Sequence, residues 1–82
     1  MAKTFHLTIA KVGDNLFEGE AISVVLPGTE GVFMVLAHHE PFVAELKAGE
    51  ARVKVADGTT MRIPVGAGGI AEVSHNQATV LL

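Results

Sequence analysis

The chain has no cysteine, no tryptophan and no tyrosine, and only four phenylalanines among 82 residues. Without thiols there is no disulfide framework, no thiolate nucleophile and no sulfur-ligated zinc, and a small domain without such staples fits the cytosol better than a secreted setting. Aromatics at 5% leave little for bases to stack on, and six basic against nine acidic side chains give a net charge of −3. Such a field does not attract a phosphate backbone, so nucleic acid is not an expected partner. Long apolar runs are missing too. The longest, residues 32–37, is far short of the roughly 20 residues a helical membrane span requires, and the opening MAKTFHLTIAK is too weakly apolar and too alternating for a signal peptide. Any membrane link is expected to be indirect.

What is present is a hydrophobic fraction of 49% with 18% charged residues, enough for a real core. A chain of this length makes one domain, residues 1–82, and hides only about 60% of the surface its unfolded form exposes, so modest stability is expected. The periodicity is that of strands. In EARVKV, Ala51, Val53 and Val55 share one face and Glu50, Arg52 and Lys54 the other. Asp57 and Gly58 then lead into TTMRIPV, a strong local hairpin signal, with Met61, Ile63 and Val65 as the returning apolar face. Pro64 cannot donate to a ladder, which places its strand at an edge or the proline at a bulge. The same alternation runs through Phe5, Leu7 and Ile9, through Ile22, Val24 and Leu26, and through Ala78, Val80 and Leu82. Gly13, Asp14, Asn15 and the SHNQ segment supply turns.

The most informative stretch is residues 26–41, LPGTEGVFMVLAHHEP. Pro27, Gly28 and Gly31 predict a tight reversal between two apolar strands. From residue 40 to 49, EPFVAELKAG has a proline suited to a first helical position and a glycine suited to a stop, so a two-turn helix competes with a strand there. No other window sustains a helical period, and six or more short strands predict an all-β sandwich or barrel.

Several apparent motifs fail in context. Gly66, Gly68 and Ala71 fit GxGxxA, but a dinucleotide site needs a following helix and an acidic residue about 20 positions on. Only eleven residues follow Ala71. His38 and His39 beside Glu40 suggest a metal, yet neighbours on a strand point to opposite faces, and His6 and His75 lie at no ligand spacing. Ser23 and Ser74 form no triad pattern, and the carboxylates, Glu18, Glu20, Glu30 and Glu45 among them, are scattered. Lys54 lies within a strand, whereas a lysine carrying a swinging cofactor sits at a hairpin tip. No catalytic residue, cofactor or metal is expected.

Five segments then gain weight together: LFEGEA at residues 16–21, LPGTEG at 26–31, HEP at 39–41, LKAG at 46–49 and AGGIAEV at 67–73. In this order they resemble the N-terminal domain of the epsilon subunit of the F-type rotary, proton-translocating ATP synthase. The resemblance implies a flattened sandwich of two roughly five-stranded antiparallel sheets with little or no helix, and a strand at residues 40–49. It implies a non-catalytic subunit at the foot of the central stalk, bound to the gamma subunit and to the membrane c-ring. That position is peripheral, on the cytoplasmic face of the bacterial plasma membrane. Torque transfer asks for a stiff body with two adhesive surfaces, which a densely packed sandwich supplies. By resemblance, Glu30, Gly31 and Val32 face the ring, and His38, His39, Pro41 and Phe42 face gamma.

Three departures from the family pattern stand out. Val32, Phe33, Met34 and Val35 replace an acidic residue followed by Leu, Gly and Ile, and Ala37, His38, His39, Glu40 and Pro41 replace Pro, Gly, His, Ala and Pro. The sequence also stops at Leu82, where many members continue into a C-terminal helical hairpin that restrains ATP hydrolysis, so that arm is expected to be absent. A rival reading is a free-standing sandwich that binds another partner through the apolar 32–36 face, and the same patch could make the isolated domain self-associate.

Overall fold

A computed structural model describes residues 3–38 and 40–82. It contains eight strands: β1 (Phe5–Lys11), β2 (Asp14–Gly28), β3 (Gly31–Leu36), β4 (Phe42–Glu45), β5 (Gly49–Val55), β6 (Thr60–Val65), β7 (Ile70–Ser74) and β8 (Gln77–Leu81). The hydrogen-bonded order is β4-β7-β8-β1-β2-β5-β6, with β3 also paired to β2. The expected all-β class is what forms. One ladder, β1 with β8, runs parallel, and the others are antiparallel.

The fifteen-residue β2 is the hinge of the architecture. Its first half pairs with β1, from Lys11↔Asp14 to Phe5↔Ala21, and its second half with β3 and β5. Ile22 is the extra residue between the Ala21↔Val55 and Ser23↔Lys54 pairs. A bulge of this kind bends a strand and increases its twist, and here it carries β2 from one layer into the other. It also changes the phase of the burial pattern. The expected Ile22, Val24, Leu26 stripe becomes Ala21, Val24 and Leu26 in the core, with Ile22 only half-buried.

One layer thus comprises β4, β7, β8, β1 and the first half of β2. The other comprises β3, the second half of β2, β5 and β6. The core between them is built from Phe5, Leu7, Ile9, Val24, Leu26, Val35, Leu46, Val53, Val80 and smaller alanines and valines. Two contacts close the side where β3 and β4 meet: a bridge between Gly28 and Leu46, and the rings of Phe33 and Phe42, 5.5 Å apart at 78°. Residues 42–45 are therefore a strand, and the helix that the proline and glycine spacing also permitted does not form. Its alternation, with Phe42 and Ala44 turned inward and Val43 and Glu45 exposed, suits a two-faced sheet and not a helical stripe. Pro64 lies in β6, which ends the path as an edge strand. The glycines after β6 lead into β7 and open no helix.

Candidate functional site

The reversal marked by Pro27, Gly28 and Gly31 forms as a two-residue turn, Thr29–Glu30, with Pro27 and Gly28 still in the strand. Proline is tolerated there since only its carbonyl is needed, accepting from the Lys47 N–H at 2.8 Å. Gly28 pairs with Gly31, and a Cβ on Gly28 would lie 2.7 Å from the Gly31 carbonyl oxygen. Gly31, at φ 136°, adopts a conformation few other residues reach. The Thr29 N–H donates to the Glu45 carbonyl at 3.0 Å, fixing the tip against β4. Glu30, Gly31 and Val32 are thereby presented together on an exposed tip above a shallow groove of about 420 Å³ that Phe33, Val43 and Glu45 help to line.

Of the second expected set, His38 lies past the other end of β3, roughly 20 Å away at about 3.3 Å per residue, whereas Phe42 packs on Phe33, next to Val32. His38 occupies the left-handed region at φ 59°, so the chain kinks there and the alternation of a strand does not apply. Its N–H donates to Asn76 Oδ1 at 2.7 Å, while Asn76 Nδ2 donates to the Thr4 carbonyl at 3.0 Å. The Asn76 carbonyl in turn accepts from the His6 N–H at 3.2 Å. Asn76 thus ties three segments together. Sequence reasoning placed it only in a turn; the signal was the asparagine itself, which tolerates its φ of 56°. His39 lies outside the described residues. Pro41 is exposed, whereas Phe42 is half-buried against Phe33, so much of its ring serves packing.

Between these ends β3 shows an apolar surface. Val32 is 69% exposed, Met34 51% and Leu36 49%. The alternate residues Phe33 and Val35 point inward. On the opposite layer, half-buried His6 stands 3.5 Å from a carboxylate oxygen of exposed Glu18 and 3.5 Å from one of exposed Glu20. Among the described residues no three His, Asp or Glu side chains are grouped to hold a metal ion. Asp57, in the β5–β6 turn, has its carboxyl held below the usual range, chiefly by the Thr59 side chain and then by the Thr59 N–H. This assembly of a stiff body, a polar tip and an apolar strand face is equipped for adhesion to protein surfaces.

Comparison with known proteins agrees with that chemistry. The family model for the ATP synthase delta/epsilon chain β-sandwich domain matches residues 4–82. The ATP synthase epsilon chain of Delftia acidovorans is 38% identical over 78 residues, which is 95% of this chain and 56% of that one. The epsilon chain of Chlorobaculum tepidum is 40% identical over 79 residues, 96% of this chain and 89% of that one. This chain therefore spans little more than half of the first relative and most of the second. A chain in the Euglena gracilis mitochondrial ATP synthase structure containing OSCP, F1 and c-ring superposes with a TM-score of 0.88 at 22% identity, over 95% of this chain and 49% of that one. That likeness is one of fold.

Proposed function

The chain belongs to the ATP synthase delta/epsilon β-sandwich family, and from that premise we propose that it acts as a non-catalytic central-stalk subunit of the F-type ATP synthase. In this role it binds the gamma subunit and the c-ring and couples ion translocation to ATP synthesis at the cytoplasmic face of the bacterial plasma membrane. The observation that carries the reading is the epsilon-chain similarity over nearly all 82 residues. The geometry supports it. The Glu30, Gly31 and Val32 tip is suited to polar loops of a ring, and the region of His38, His39, Pro41 and Phe42 to a stalk partner. β3 separates the tip from His38, and β-sheet layers packed face to face resist the shear that torque imposes.

The test is recovery of the tagged chain from its own membranes in mild detergent. Gamma and ring subunits in defined stoichiometry support the stalk role. A different partner in their place would instead support a free-standing binding module.

A further inference from the structure

The sandwich is closed on one side and open on another. Where β3 and β4 meet, the Gly28–Leu46 bridge and the Phe33–Phe42 ring pair join the layers. Elsewhere β6 ends the strand path, paired only with β5, and between it and the ends of β1 and β8 a cleft of about 500 Å³ remains. Buried Ile63 with half-buried Leu16 and Leu82 forms its floor, and exposed Lys11, Arg62 and Pro64 form its rim. The Leu82 N–H donates to the Ala10 carbonyl at 2.8 Å, which prolongs the β1–β8 ladder and holds that part of the floor in place. No aspartate or glutamate lines the cleft. Among the described residues Lys11 has no ion pair, and Arg62 has only exposed Glu50, at 3.8 Å, which Arg52 shares at 3.9 Å. Two of the six basic side chains of a chain of net charge −3 thus flank an apolar recess.

We propose that this cleft binds a free acyl carboxylate, an unbranched fatty acid anion of medium length, with its chain on the Leu16, Ile63 and Leu82 floor and its carboxylate at Lys11 and Arg62. A recess of roughly 300–1,000 Å³ with an apolar lining and a few polar groups is the usual form of a small-molecule site. The floor supplies area removed from water, and the ammonium and guanidinium supply charge-assisted hydrogen bonds to the carboxylate. A neutral ligand leaves both cations unused, and a cationic one is repelled by both. An anionic lipid still seated in a bilayer offers only its headgroup and leaves the floor unfilled. The proposal stands apart from the stalk reading, since Glu30, His38, Pro41 and Phe42 do not line the cleft and either can fail without the other.

The experiment titrates the isotopically labelled full chain with hexanoate, octanoate and decanoate below their micelle concentrations, at about 150 mM salt, and follows methyl NMR signals. Saturable shifts are expected at Leu16, Ile63 and Leu82 but not at Val32, Leu36 or Val43, with affinity rising by up to about fourfold per added methylene. Decanol is expected to bind about tenfold more weakly than decanoate, and decylammonium more weakly still. Lys11→Glu with Arg62→Glu should cost about tenfold or more. Lys47→Glu with Lys54→Glu, an equal change of net charge away from the cleft, should leave affinity within about twofold. Circular dichroism checks that each variant folds, and the ligand series on wild type decides the matter where the first does not. Decanol that binds as tightly as decanoate, methyl shifts that are absent or lie outside the cleft, or a first variant that folds and binds as wild type each overturn the proposal. Sedimentation with phosphatidylglycerol vesicles that the first variant abolishes, in a chain that decanoate does not shift, overturns it in favour of a bilayer surface.

Discussion

At the scale of single residues, Asn76 does the most with the least. Its left-handed backbone closes the turn between β7 and β8, and its amide side chain accepts from His38 and donates to Thr4. Asn76→Gly keeps the backbone freedom and removes both bonds, at about 1 kcal/mol each. Asn76→Ala adds the cost of a left-handed alanine, on the order of 1 kcal/mol more. Urea midpoints are therefore expected to fall from wild type to glycine to alanine, in that order. Equal midpoints for glycine and wild type would show that the side-chain bonds contribute nothing. A second residue-scale expectation concerns Gly28→Ala, whose Cβ would sit 2.7 Å from a backbone oxygen that cannot rotate away. It should destabilise by about 1–3 kcal/mol and loosen the Thr29–Glu30 tip, seen as faster amide exchange at residues 29–31.

At the scale of elements, the β5–β6 hairpin gives a pH-dependent handle. Asp57 is held below the ordinary carboxylate value by Thr59. With the folded value depressed, the stabilisation is complete above the unfolded value of about 3.9 and is lost as pH falls through the lower folded value. Thr59→Ala should move the Asp57 titration, followed by carboxyl carbon NMR, upward toward the ordinary value, and an unmoved midpoint would contradict the assignment of Thr59 as the cause. This hairpin was legible in advance because Asp-Gly between alternating runs has few other meanings. Other elements were legible only in outline. Nothing in AIS marks Ile22 as a bulge, since the residue is as apolar as its neighbours and only the pairing of β2 with β5 makes it the odd one. The tip at Glu30, Gly31 and Val32 could be read from glycine and proline. The rim of the cleft could not, because Lys11 and Arg62 come to one recess only when β1 and β6 fold into facing layers. Likewise the bond from His38 to Asn76 spans 38 positions of sequence, a distance no local pattern reports.

At the scale of the molecule, the question is whether the layers can yield separately, since the proposed stalk role asks for a body whose layers do not. The ladder is continuous through β2, and Leu46 binds the far side. It is 1% exposed, its N–H donates to the Gly69 carbonyl at 2.8 Å, and its own carbonyl accepts from the Gly68 N–H at 3.2 Å. The bridge to Gly28 reaches the other layer. A domain of this length is stable by roughly 4–12 kcal/mol, and Leu46→Ala is expected to remove about 2–4 kcal/mol through lost burial and the cavity left behind. If the layers are one cooperative unit, the variant unfolds in urea in a single transition at a lower midpoint with an unchanged slope. Circular dichroism and methyl NMR signals from both layers would then coincide. Signals from β7 and β8 that melt apart from those of β5 and β6 would show two units joined only by β2, and a sandwich of that kind would flex under load, against the stalk role proposed above.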